Sequence, residues 1–205
     1  MLPTLWGQEK TAVTLNSFVV EGAAEKAILD ILVENCLLNI QRDTFLENNS
    51  GKIIFDSLNP RKFAKDFLNH DFDEPVQVHV LLDNPNKKLD FSKYSNQVGL
   101  VKYYVTREEI ETIHLYHNEN WLLQYGKYKQ HMSGKDAKPS AFFINHGHGG
   151  LGITNIKQYD YVYNLWCNAP QELVAAIKHV QTDMKHKHSL RSFPRNYGYL
   201  ADLLK

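Results

Sequence analysis

A chain of 205 residues, 43% hydrophobic and 22% charged, can bury a sizeable core without disulfides or metals and is too apolar to stay disordered. Its 23 basic and 23 acidic side chains cancel, so net charge gives no support for a nucleic-acid binder, although a basic face can exist locally. The start MLPTLWGQEK lacks the pattern of a signal peptide, and no apolar run approaches the ~20 residues of a membrane span. Cys36 and Cys167 show neither pairing nor zinc spacing, so a cytoplasmic protein with free thiols and no membrane partner is expected.

Residues 11–20, TAVTLNSFVV, are β-branched and half alternating, and predict a strand. Residues 23–38 predict a helix: Ala24, Ala27, Ile28, Ile31, Leu32 and Leu38 recur near helical spacing, with Glu25, Lys26, Asp30 and Glu34 on the other face. Cys36, on this apolar helix, is expected in the core rather than as a nucleophile. KIIFDSL is a second short strand. Asn59-Pro60 opens a second helix, since Asn caps and Pro suits the first helical position. PVQVHVLLD is a third strand ending on Asp83, and VGLVKYYVT a fourth. Residues 107–128 predict one long helix with Ile110, Ile113, Leu115, Trp121 and Leu122 toward the core. After that the pattern is less regular: a short helix and a Gly/His loop in KPSAFFINHGHGGLGI, helices in DYVYNLWCN and PQELVAAIKHVQTDMKHKH, a basic run HKHSLR, and a short final helix at YLADLLK.

Strands and helices alternating at this spacing predict an α/β fold with a mostly parallel sheet flanked by helices. The expected division is an α/β core over residues 1–128 and a mainly helical extension over 129–205 packed on it. In such sheets functional groups gather at the carboxyl ends of the strands. Glu21 and Asp83 both end apolar runs there, and Glu25 follows Glu21 by one helical turn. A small cluster of carboxylates suits Mg²⁺ or Mn²⁺, which prefer oxygen ligands.

VVEGAAEK, in which a strand runs into Glu-Gly and then a helix, resembles the first motif of the Toprim domain, and Glu25 gives it the Glu-Gly-x-x-Glu form of the OLD-type nucleases. VHVLLDNPN stands where the second motif, Asp-x-Asp, is expected. Asp83 matches its first aspartate, but position 85 is proline; Asn84, Asn86 and Asp90 lie nearby. VTREEIE offers Glu108, Glu109 or Glu111 for a further acid. Thr106-Arg107-Glu108 keeps the Ser-x-Glu spacing, and Glu109 is the member taken here as the metal ligand. KPSAFF supplies the lysine, Lys138.

The resemblance covers about residues 13–140 and implies a Toprim/Rossmann-like fold and a metal-dependent phosphodiesterase acting on DNA or RNA, in a phage-related or defence setting. It implies catalytic Glu21, Asp83 and Lys138, and Mg²⁺ or Mn²⁺ held by Glu21, Glu25, Asp83 and Glu109. Pro85 leaves open one metal, recruitment of Asp90, or loss of activity. The alternative is a catalytically inactive module that serves a protein partner. A third reading is an unrelated enzyme working on a small phosphorylated molecule.

Other features have plainer readings. His114 and His117 stand three apart, a spacing that can bind metal, but no third ligand is evident. His146 and His148 lie in a loop that only faintly resembles a phosphate loop. The tyrosines 103, 104, 116, 125 and 128, with Lys102, Lys127 and Lys129 among them, are expected to pack rather than to stack on bases.

Overall fold

Five β-strands pair in one sheet in the computed structural model, which describes residues 13–106, 110–187 and 196–205. They are β1 (Asn16–Val20), β2 (Ile54–Phe55), β3 (Val76–Leu82), β4 (Val98–Val105) and β5 (Tyr197–Tyr199). All neighbours are parallel, in the order β2-β1-β3-β4-β5. Among the described residues the helices are α1 (Ala23–Glu34), α2 (Pro60–Phe67), α3 (Glu111–His114), α4 (Glu119–Lys129), α5 (Pro139–Ile144), α6 (Tyr159–Trp166) and α7 (Pro170–Lys187). The expected α/β fold with a parallel sheet flanked by helices is therefore present.

Both sheet faces are covered, which is why the strands read as near-continuous apolar runs. Phe18, Val20, Leu81 and Tyr104 face α1, α6 and α7. Val19, Val78, Val80, Leu82 and Tyr103 face Phe63 and Phe67 of α2. A third, smaller cluster joins Leu115, Tyr128, Phe142, Phe143 and Ile156, and so spans both sides of residue 128. The C-terminal part also supplies β5 to the sheet. One polar group is buried on the first face. His79 Nε2 lies 2.9 Å from Asn16 Oδ1, and its Nδ1 lies 3.1 Å from the Tyr104 hydroxyl. Burial, and secondarily Lys102, pushes its pKa down to about 3.

Several elements differ from expectation. The helix starting at residue 23 stops at Glu34, because Cys36 takes a left-handed backbone (φ 54°). Its N–H bonds the Val33 carbonyl and that of Leu37 bonds Leu32, the two bonds of a Schellman C-cap. Cys36 is therefore exposed, not in the core. The long helix of residues 107–128 is broken. A 3₁₀ turn over Leu115–His117 follows α3, and Asn118 is extended. Its side chain accepts from the Asn120 N–H at 2.8 Å and starts α4 afresh. Of the expected core side chains, Ile110, Ile113 and Leu115 are buried, Trp121 is half-buried and Leu122 is exposed. The Asn59 cap is as expected, with Oδ1 accepting from the N–H groups of Arg61 and Lys62, both at 3.1 Å. β5 was not anticipated. Residues 1–12 and most of HKHSLR lie outside the described residues.

Candidate functional site

The connection after β1 leads through α1 to β2 on one side, and the connection after β2 returns across to β3 on the other. The carboxyl ends of β1 and β3 therefore flank the point where the winding reverses, the place where open α/β sheets bind ligands. Val20 pairs with Leu81, so the residues that follow, Glu21 and Asp83, arrive together. Glu21 Oε2 accepts from the Asp83 backbone N–H at 3.4 Å, while Oε1 forms an ion pair with Lys87. The neighbouring strand β2 also runs into an acid, Asp56, exposed at its carboxyl end.

Glu25 stands in the first turn of α1 and is buried. Its carboxylate folds back over Gly22, so a side chain at that position would displace it. Burial raises its pKa above the ordinary 4.5, and the negative charges of Asp83, Glu111 and Glu21 add to the rise. Glu111, the first residue of α3, is 1% exposed and pairs with Lys157 Nζ at 2.7 Å. Glu25 thus feels three further carboxylates, which follow β1 and β3 and open α3, with two lysines at the margins.

A carboxyl group whose folded pKa is raised stabilises the fold below its unfolded pKa, and that contribution is lost as pH rises through the folded value. Glu25→Gln should therefore raise Tm by about 2–4 °C at pH 7, the shift that ~1 kcal/mol makes in a chain of this size, and leave it unchanged at pH 4. Thermal melts of both proteins across that range test this. A Tm that falls at pH 7 would contradict the assigned strain.

Glu109, with Arg107 and Glu108, lies outside the described residues. Glu111 is the member of that group which the structure places beside Glu25. Its signal in the sequence was its phase: three and four residues before the buried His114 and Leu115, it falls on the inward stripe. Asp56 carried the same signal as Glu21 and Asp83, an apolar run ending on an acid. Thr106 is structural, its N–H and Oγ1 both bonding the Leu82 carbonyl. Pro85 is buried, and its carbonyl accepts from the Tyr197 hydroxyl at 3.3 Å. Asn84 Oδ1 accepts from the Asn86 N–H at 3.0 Å. Asp90 accepts from the Ser92 N–H at 2.9 Å, and its bonds to Ser92 hold its pKa below the ordinary value. Lys138 is exposed at the N-cap of α5, a helix that packs on α3.

An open cleft of about 400 Å³ adjoins these acids, lined by Glu21, Gly22, Ala23, Lys26, Asp56 and Tyr159. Lys26 pairs with Asp30 at 2.6 Å and lies 4.6 Å from the centre of the Tyr159 ring. Among the described residues, no three His, Cys, Asp or Glu side chains are gathered closely enough to hold a metal ion as they stand.

The histidine pair is not a metal seat. Trp166 Nε1 donates to His114 Nδ1 at 3.0 Å, and an indole N–H can only donate. Burial, and secondarily His117, pushes His114 down to about pKa 3, so the ring is neutral with its hydrogen on Nε2. Neither nitrogen then has a lone pair to offer. The second half of the Gly/His loop has its backbone donors turned inward. The N–H groups of Gly150, Leu151, Gly152 and Ile153 are taken by the carbonyls of Gly147, Phe142, Asn145 and Phe143. Tyr103, Tyr104 and Tyr128 are buried.

Compared with family models, with curated proteins and with solved structures, the chain matches none.

Proposed function

We propose that this protein is a Toprim-like, metal-dependent phosphodiesterase acting on DNA or RNA, with Mg²⁺ or Mn²⁺ held by Glu21, Glu25, Asp83 and Glu111. The observation that carries this reading is the arrival of Glu21 beside the Asp83 backbone at the reversal point of the sheet, at the wall of an open cleft, with Glu25 within electrostatic reach of both acids. The donor set fits a hard cation, being all oxygen. The proton affinity of Glu25 is raised first by burial and then by the negative charges of Asp83, Glu111 and Glu21, and a cation would offset the latter part. When bound, the metal supplies neutralisation of phosphodiester charge and a water of lowered pKa.

The chain's own groups would do the rest. One of the carboxylates would orient or deprotonate the attacking water. Lys138 would face the negative charge that develops on the phosphate. Lys26 and Tyr159 also line the cleft, engaged with each other and with Asp30.

A second reading, an inactive module serving a protein partner, is favoured by one observation: Glu21 is already neutralised by Lys87. Incubation with single- and double-stranded DNA and RNA, with and without Mn²⁺, separates the two. Metal-dependent cleavage, reduced at least ~10²-fold in the Glu21→Gln/Asp83→Asn variant, is expected. No cleavage, and no gain in Tm on adding Mn²⁺, would leave the inactive module standing.

A further inference from the structure

Helix α6 is tied to its neighbours by donors that meet acceptors which acid can titrate. Trp166 Nε1 donates to His114 Nδ1 at 3.0 Å, the Tyr159 hydroxyl to Asp30 at 2.9 Å and the Tyr163 hydroxyl to Glu34 at 2.6 Å. The first bond is the strictest. An indole N–H can only donate, so the His114 nitrogen that it meets must keep its lone pair, whereas an imidazolium carries hydrogen on both nitrogens. A protonated His114 and the Trp166 bond therefore cannot coexist. Both side chains are fully buried. Around His114, α5 places the Phe143 ring, 6.4 Å between centroids, and has no titratable side chain of its own. The segment that carries His114 holds Glu111, paired with Lys157, and His117. α6 brings Tyr161 to the same clusters, and α7 brings His179, whose ring lies 4.7 Å from that of Tyr116. Burial, and then His117, oppose a charge on the ring.

We propose that α6 is an acid-released latch: proton uptake by His114 expels Trp166 from the core, and α6 takes Tyr159 away from the wall of the cleft as it leaves. Tyr159 stands seven residues before Trp166 on the same helix and lines the cleft beside Glu21 and Asp56. The release does not depend on what the cleft binds. While α6 is docked, His114 is held neutral at a pKa of about 3, and it returns toward the ordinary 6.5 once Trp166 has gone. Docking is thus at full strength above pH 6.5 and weakens as pH falls below it, by about a factor of ten in the docking equilibrium per pH unit. At lower pH Asp30 and Glu34 become neutral, and bonds to a neutral acceptor are about half as strong, which loosens the two tyrosines. α6 has eight residues, and Trp166 is one of the two side chains that it buries.

The test is hydrogen exchange of the full chain at pH 7.5, 6 and 4.5, corrected for the intrinsic pH dependence of exchange, in wild type and His114→Asn. Asparagine offers an acceptor oxygen and cannot take up a proton there. In wild type the opening constant of the Tyr159–Trp166 amides should rise about 100-fold from pH 7.5 to pH 4.5, with Val78–Leu82 remaining slower, and in His114→Asn it should rise less than about tenfold. Opening of α6 that is flat over this range, or that occurs only together with Val78–Leu82, would overturn the latch. So would a folded His114→Asn that keeps the wild-type acid dependence. If His114→Asn does not fold, the Trp166 indole N–H of wild type decides. Loss of its protection together with the α6 amides supports the latch, and its persistence at pH 4.5 while α6 opens overturns it.

Discussion

Trp166→Ala should cost about 3–5 kcal/mol, the range for deleting a large aromatic side chain from a packed core. Trp166 is fully buried in the cluster formed by α1, α6, α7 and one sheet face. Its ring lies edge-on to His117 at a centroid distance of 4.8 Å. Its Nε1 also donates a hydrogen bond to His114 Nδ1, so the substitution strips a buried acceptor as well. Trp166→Phe separates the two effects. It keeps most of the volume and removes the donor, and should cost about 1–3 kcal/mol. Urea unfolding at pH 7 measures both. Nitrogen NMR of His114 should find hydrogen on Nε2 in the wild type. Hydrogen on Nδ1, or a Trp166→Ala loss below about 1 kcal/mol, would refute the arrangement described for this core.

Lys157→Met should be the next largest effect, at about 2 kcal/mol. Removing one partner of a buried pair costs ~3–5 kcal/mol because the other charge is left in the interior. Glu111 is that charge, 1% exposed, whereas the Lys157 side chain is 59% exposed, so solvent reaches one end and roughly halves the penalty. Glu111→Gln should destabilise by less than about 1 kcal/mol because it removes the charge itself. Urea unfolding of wild type and both variants at pH 7.5 decides. A Lys157→Met loss no larger than that of Glu111→Gln would show that no buried charge is left behind when the lysine is removed.

The features legible in the sequence were local. Glu21 and Asp83 could be placed because strands of period two and near-continuous apolar character end on them, and a parallel sheet aligns such ends. Asn59-Pro60 announced its helix because cap chemistry lies within three residues. The rest depended on partners far along the chain. Glu111 stands close behind Glu108 and Glu109 in sequence, and what marks it as inward is its spacing to His114 and Leu115, whose own burial is a matter of long-range packing. The Lys87–Glu21 pair joins residues 66 apart. Cys36 closes α1 in a conformation that glycine normally supplies, so no composition signal marked the helix end. β5 is three residues long and gains its identity from pairing with β4, as Tyr103 opposite Tyr197 with rings stacked at 4.8 Å.

The position of β5 has a consequence for how the chain folds. It pairs with β4, yet roughly ninety residues separate the two in sequence. Closing so long a loop carries an entropy cost that only contacts already formed can offset. Strands β1, β3 and β4 make far more extensive pairings with shorter returns, so they form the nucleus of the sheet. β5 docks last, after α3–α7 have collected around Leu115, Phe142 and Trp166. Opening of this edge is accordingly cheaper than opening of the central strands β1, β3 and β4. Amide protons of Tyr197–Tyr199 should exchange with solvent well before those of Val78–Leu82, and the sheet end bearing Glu21 and Asp83 stays paired while its far edge breathes.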